Sequence, residues 1–259
     1  MDLRFIGVQN IPMVQPGDDL VVLIEDGLRT MGENLQVNDI IVIAQKIVSK
    51  SENQYLDLTT VKPTREAEQL ALEVDKDPRK VQAILDESNE VVRKAAGVLI
   101  VEHRLGFVQA NAGIDQSNIR KESVDDDDLC LLLPINPDAS AKAIHARIKS
   151  RHGIHVGVII NDSLGRAWRM GTLGLAIGVA GITALEDHIG ETDIYGRELI
   201  VTQVAAADEI AAGASLVMGQ TREKTPVVVV RGYQPKEPSD KTLRGVKPLL
   251  RPKAIDLFR

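Results

Sequence analysis

Residues 155–172 read HVGVIINDSLGRAWRMGT, and the reading of this stretch decides the fold. Residues 156–160 form an apolar run of strand length, and the run breaks at Asn161-Asp162-Ser163. In open α/β sheets, chemistry gathers where strands end. A carboxylate and a hydroxyl there, followed by Gly165 and the guanidinium groups of Arg166 and Arg169, suit a cation and an anion held side by side. Metal-bound phosphate is the simplest ligand with that description.

Working outward, Pro137-Asp138 caps a predicted helix through Lys149, with Ala143, Ile144 and Ile148 on its apolar face. Residues 98–102 and 107–109, joined across Gly106, predict paired strands, and the second runs into Asn111-Ala112-Gly113-Ile114-Asp115-Gln116-Ser117-Asn118. Gly17-Asp18-Asp19 precedes an amphipathic helix carrying Leu20, Leu23, Ile24 and Leu28. Residues 39–44 predict a strand that delivers Gln45, Lys46, Ser49 and Lys50 into the connection after it. Pro63-Thr64 opens a helix through Val74, and Asp77-Pro78 opens another with Val81, Ile84, Leu85, Val91 and Val92 inward. On the C-terminal side, the small apolar residues of 173–182 lean to strand, and 195–198 form a turn into a strand at 199–202. An alanine-rich helix over 206–218 stops at Gly219, and 227–230 is the last clear strand.

These elements predict an α/β (α+β) protein with mixed β-sheets flanked by helices. No repeat or low-complexity linker divides residues 1–259, so the expectation is a single unit, at most two intimate subdomains. The Lys- and Pro-rich tail over 234–259 fits no motif.

With 259 residues and 44% apolar content, the chain can bury a full core. A net charge of −6 and 3% aromatic residues argue against a nucleic-acid partner, which would need many phosphate-neutralising cations or stacking faces. The apolar runs at 129–133 and 227–230 are far short of the ~20 residues that span a bilayer. The start MDLRFIGV lacks an apolar signal-peptide core, so the expectation is a cytoplasmic protein without a membrane partner. Cys130, inside LCLLLP, reads as a core thiol, and the four aspartates at 125–128 as a solvated loop. His103, His145, His152, His155 and His188 show no metal-ligand spacing.

Asp115 and Asp162 both follow strand-like runs. Either alone reads more readily as a turn or cap residue, as does Ser163, but as a pair they suit magnesium or manganese, hard cations that prefer oxygen donors, with Ser163 as a further oxygen. Lys46, Lys50, Arg166, Arg169, Arg197 and Arg231 all flank predicted strand ends or turns, where surface charge and anion binding are both open readings. Arg166 and Arg169 would converge on one anion if their loop enters a helix. At an effective dielectric of ~20, opposite charges ~4 Å apart attract by roughly 4 kcal/mol, enough to position a phosphate or carboxylate. Neither GxxxxGK[ST] nor GxGxxG occurs, so a nucleotide site must be of another design. Gly219-Gln220-Thr221-Arg222, just past a helix, offers backbone groups for one, or simply a helix stop.

Taken in order, AQKIVSK, GFVQANAGIDQSN, LLLPINPDASA, VIINDSLGRAWRMG, AIGVAGI, DIYGREL, ADEIAAGASLVMG and PVVVVRG resemble the coenzyme F-420 gamma-glutamyl ligase family. The likeness covers about residues 1–233 and is most specific in ANAGID-x-SN and ND[ST]-x-GR-x-WR-x-G. The resemblance implies a GTP-dependent ligase that joins L-glutamate to the glutamate-free coenzyme and extends a gamma-linked tail, through an acyl phosphate. It also implies an unusual α/β fold in an intertwined homodimer, two divalent ions (Mg²⁺ or Mn²⁺) and a K⁺ ion.

Carried over by motif, Asp115 and Asp162 are implied as ligands of one ion, with Ser163 and Gln220 near a second. Some relatives have Glu where this chain has Gln220, which weakens the second set. GTP is implied to meet Ile11, Pro12, Met13 and Val14 through their backbone. Gln45, Lys46, Lys50 and Asn118 are implied as nucleotide contacts, as is a closing loop of Met218, Gly219, Gln220, Thr221, Arg222, Glu223, Lys224 and Thr225. Asp115, Asp162, Arg166 and Arg169 are the implied catalytic set, the arginines meeting the acidic acceptor. Two readings stand beside this one: the same ligation on another acidic cofactor, and a non-catalytic GTP and metal sensor.

Overall fold

Two runs of β-branched residues organise the molecule. β2 (Ile40–Ala44) and β12 (Val227–Arg231) are buried along nearly their whole length, the pattern of strands covered on both faces. In the computed structural model, which describes residues 2–120, 124–234 and 244–258, they lie inside a five-stranded sheet of order β1-β12-β2-β8-β9, with β1 Arg4–Gly7, β8 Gly157–Gly165 and β9 Thr172–Ala180. Only β2 and β8 pair in parallel; the other neighbours are antiparallel. Strand β1 was not foreseen, its four residues being too few to show a period.

The stretch after Ile160 departs from expectation. β8 does not end at Asn161-Asp162-Ser163 but continues to Gly165 against β9, across a register shift between Ile160 and Asn161. Ile160 faces Gly178 and Asn161 faces Ala176, so Ile177 is the extra residue of a bulge. The parallel pairing with β2 stops at Ala44 and Asn161. The chain then turns at 166–171 straight into β9, so Arg166 and Arg169 lie on a hairpin connection and not at the start of a helix. Polar residues interrupt the apolar run there, which made a continuing strand look finished.

Helices cover both faces of this sheet. α1 (Leu20–Thr30) is capped by Asp19, whose Oδ1 accepts from Val21 N at 3.1 Å. α5 (Pro137–His152) is capped by Asn136, one residue earlier than predicted, and Asp138 instead accepts the N–H groups of Val179 and Val246 at 2.8 and 3.0 Å. α6 (Ala206–Met218) ends at Gly219 as expected. A Cβ on Gly178 would strike the Pro137 backbone of α5, and one on Gly174 would strike Ser215 and Ala211 of α6. Positions four apart in a regular strand share a face, so it is the bulge at Ile177 that sends them to opposite layers.

A second core joins α3 (Arg65–Val74) and α4 (Pro78–Asp86) to an antiparallel sheet of β4 (Ser88–Ala95), β5 (Val98–His103) and β6 (Val108–Ala110). Val91 and Val92 belong to β4, not to the inner face of α4, because the helix stops at Asp86; Val91 pairs with Val101 of β5 and Val92 sits at the register shift beside it. β3 (Tyr55–Asp57) pairs with β7 (Leu129–Leu131), burying Cys130, and α2 (Gln45–Ser51) follows β2 directly. β10 (Glu186–Asp187) and β11 (Gln203–Val204) form a small ribbon. The strand expected at 199–202 is absent, Ile200 and Val201 being exposed in an irregular segment. Of the tail, 235–243 and 259 lie outside the described residues, and Val246 is buried against the chain's own main core.

Arg231 is not an anion-binding residue. Its guanidinium forks onto the Asp39 carboxylate with two contacts of 2.9 Å and reaches Glu33 at 3.1 Å, while Asp39 is 1% exposed. Removing the cation strands a buried charge. Arg231→Ala is expected to lower the unfolding free energy by about 3 kcal/mol in denaturant melts, and a loss below about 1 kcal/mol would contradict this pairing.

Candidate active site

Where β2 ends, Gln45 begins α2 and turns its side chain inward, donating to Ser49 Oγ at 2.6 Å. One residue on, the Lys46 ammonium leaves the helix toward the 115–118 turn. Its Nζ lies 2.7 Å from Asp115 Oδ2 and donates to Ser117 O at 2.7 Å and Ser117 Oγ at 2.9 Å. Lys50, one helical turn further, is buried and donates to Asn118 O at 2.8 Å. Burial and the neighbouring Lys46 charge push the Lys50 ammonium below the usual lysine range.

The turn that carries Asp115 follows three successive residues at positive φ, Asn111 at 53°, Ala112 at 54° and Gly113 at 69°. Two of them are not glycine, and that conformation is held by burial of Ala112 and the bridge from Asp115 to Leu131. Asp115 is thereby fixed through its backbone, while Oδ1 accepts from Ser117 N at 2.7 Å. Burial alone would raise its pKa, but the hydrogen bonds and charge of Lys46, with the Ser117 N–H, hold it below the ordinary carboxylate range.

Asp162 stands just past the end of the β2 pairing. Burial pushes its carboxyl up to about 6, the nearby Asp115 carboxylate adding to the rise while the Ser163 N–H and Lys46 oppose it. Ser163 Oγ donates to Gln220 Oε1 at 2.9 Å, joining β8 to the segment after α6. In that segment Thr221 N and Oγ1 both donate to Glu223, at 2.8 and 3.1 Å, so this backbone donor has an internal acceptor already. Asn118 Nδ2 donates to Thr221 O at 3.2 Å and ties the loop to the Asp115 turn.

These segments enclose one cleft of about 550 Å³. Its walls include Asp115, Asp162, Ser163 and Gln220, with Gln45, Lys46, Lys50 and Asn118. Ile11, Pro12, Met13 and Val14 line it too, as does the whole loop of Met218, Gly219, Gln220, Thr221, Arg222, Glu223, Lys224 and Thr225. Arg166 and Arg169 do not line it; Arg166 donates to Gly171 O at 3.2 Å across the hairpin connection, and Arg197 is exposed elsewhere. Sequence reasoning assigned no role to Ser117 or Asn161, which also line the cleft. Ser117 could have been found: two residues after an Asp is where an Asx turn places its N–H donor. Asn161 leaves its buried Oδ1 without a hydrogen bond at the bulge.

The donors at hand for a metal are oxygens: two carboxylates, a hydroxyl and an amide carbonyl. Among the described residues no three His, Cys, Asp or Glu side chains form a metal-holding group. Such a sparse, hard set suits Mg²⁺ or Mn²⁺, which keep several positions for water and phosphate oxygens, better than it suits zinc. Among the described residues no helix is long and apolar enough to cross a membrane.

The family model described as F420-0:Gamma-glutamyl ligase matches residues 9–232. A protein of Methanothermobacter thermautotrophicus called coenzyme F420:L-glutamate ligase is 47% identical over 259 residues, covering 100% of both chains. Proteins of the same name are 45% identical over 225 residues in Methanocaldococcus jannaschii (87% of this chain, 86% of that one) and 39% identical over 260 residues in Methanopyrus kandleri (99% of each). The chain belongs to the F420-0:gamma-glutamyl ligase family.

Proposed function

We propose that this protein is a GTP-dependent ligase that forms an amide between L-glutamate and the glutamate-free form of coenzyme F-420, and then adds further glutamates through gamma linkages. Its relatives carry the name coenzyme F420:L-glutamate ligase. The observation that supports the nucleotide-dependent reading most is the cleft itself, where two carboxylates and two lysines from distant segments meet beneath a loop rich in polar groups.

A carboxylate is a poor electrophile, so amide formation needs an activated acyl group. Transfer of the terminal phosphoryl group of GTP to the acceptor carboxylate makes an acyl phosphate; the glutamate amine attacks its carbonyl and phosphate leaves. Lys46 and Lys50 would offset charge on the phosphates, and residues 11–14 and 218–225 would hold the nucleotide. Asp115 and Asp162 would hold one divalent ion (Mg²⁺ or Mn²⁺), with Ser163 and Gln220 toward a second. Bound there, the metal supplies electrostatic stabilisation of the transferring phosphoryl oxygens. A K⁺ ion, a homodimer, a cytoplasmic setting and the meeting of Arg166 and Arg169 with the acceptor's carboxylates complete the proposal.

The test combines purified protein with GTP, Mg²⁺ or Mn²⁺, glutamate and the glutamate-free coenzyme, and follows product mass. Stepwise gains of one glutamyl unit with matching GDP release are expected. GDP release without a glutamyl product, or no product from the authentic acceptor, would sink the reading. Asp162→Ala is expected to reduce turnover at least ~10³-fold with the fold intact by circular dichroism, the scale of losing a transition-state electrostatic group.

A stability measurement probes the same carboxylate without turnover. Because the folded-state pKa of Asp162 is raised from 3.8 to about 6, the unfolded chain ionises first as pH rises. Metal-free protein therefore loses stability between about pH 4 and 6, by at most about 3 kcal/mol. Asp162→Asn removes that loss and is expected to melt higher than wild type at pH 8 without metal, yet to gain less when Mn²⁺ is added. Parallel melting curves for the two proteins across pH 4–8 would refute this account of Asp162.

A further inference from the structure

Lys46 does more in this cleft than wait for a phosphate. Its ammonium nitrogen, which carries three donors, has three oxygens of one short turn within reach, at 2.7 Å from Asp115 Oδ2, 2.7 Å from Ser117 O and 2.9 Å from Ser117 Oγ. Carboxylate, carbonyl and hydroxyl oxygens are the donors a hard cation takes. We propose that the Lys46 ammonium is a built-in counter-ion on the Asp115 limb of the cation site, displaced when the cleft fills, so that divalent metal and nucleotide phosphate bind as a coupled pair. This rests on the proposed functional reading, and deepens it by assigning a positioning residue and a coupling between the two ligands.

Charge balance carries the argument. Lys46 and Lys50 bring two positive charges to the base of the cleft, and Asp115 and Asp162 bring two negative ones. A divalent cation entering alone must compete with Lys46 for Asp115 and leaves an excess of positive charge in a partly desolvated space. A phosphate chain arriving with it supplies the missing negative charge and gives the released ammonium new acceptors. Each ligand then raises the affinity for the other by the same factor.

Lys46 is also free to move. Its side chain is 23% exposed and carries a flexible four-carbon stem. The turn it grips does not depend on it, because Ser117 N donates to Asp115 Oδ1 and the Asp115 backbone is bridged to Leu131.

The experiment measures Mn²⁺ affinity of the full chain by electron paramagnetic resonance, with and without saturating GDP, for wild type and Lys46→Met. In wild type, GDP is expected to tighten Mn²⁺ binding at least tenfold. In Lys46→Met, Mn²⁺ alone is expected to bind at least fivefold more tightly than to wild type, and the tightening by GDP to shrink at least fivefold. Lys46→Arg keeps the charge and is expected to bind Mn²⁺ alone as weakly as wild type. A lysine that merely braced the turn would give the opposite sign, and equal or weaker Mn²⁺ binding to Lys46→Met overturns the proposal. If Lys46→Met does not fold, Lys46→Gln is read by the same criteria. Wild type that binds neither Mn²⁺ nor GDP overturns the functional reading itself, an outcome distinct from failure of the Lys46 arm.

Discussion

The parallel pairing of β2 with β8 stops at Ala44 and Asn161, and the rest of the site depends on that stop. Up to this point β8 has a neighbour on each side and its residues are core. Beyond it, β8 keeps only β9, and Asp162 and Ser163 emerge over the start of α2. Ile177 occupies the bulge at this level, which resets the alternation of β9 so that Gly178 meets α5 while Gly174 meets α6. One extra residue thus sets which helical layer each end of β9 meets, and on the neighbouring strand the Asp162 carboxylate lines the gap between the main sheet and the Asp115 turn.

That gap is closed by polar contacts between segments far apart in sequence. Lys46 reaches the 115–117 turn, Lys50 and Thr221 both reach Asn118, and Ser163 reaches Gln220. The first two groups join the main sheet to the turn beyond β6, and the last joins two elements of the main sheet's own layer. Apolar packing fixes each element separately, whereas these contacts set how the cleft walls face one another.

Elements with an unbroken apolar run, a helical apolar face or a helix-favouring composition were legible in the sequence: β2, β12, α1 and α6 sit where the pattern put them. Errors came where polar residues sit in a strand for a reason other than its ending. Asn161-Asp162-Ser163 looked like a terminus because polar residues interrupt the apolar run, and only the partner strand β9 keeps the backbone extended. Val91 and Val92 fit a helical face by spacing, yet α4 stops at Asp86 and leaves them to a ladder that local sequence cannot announce. Among the basic candidates, the residue pattern alone left Arg231 open as either surface charge or anion site; Asp39, 192 residues away, claims it. Asp115, Asp162 and Lys46 line one cleft, but the contact of Lys46 with the Ser117 carbonyl could not be read locally, since a backbone acceptor leaves no mark in the sequence.

Asp115 and the Thr221 N–H, both on the cleft wall, are each satisfied internally. Asp115 is neutralised by a lysine whose side chain is 23% exposed, and the Thr221 N–H is occupied by the exposed Glu223 carboxylate of the same loop. Buried pairs such as Asp39 with Arg231 would resist exchange, and they stand away from the cleft. The more exposed contacts thus line the cleft, and the more buried pair braces the sheet away from it.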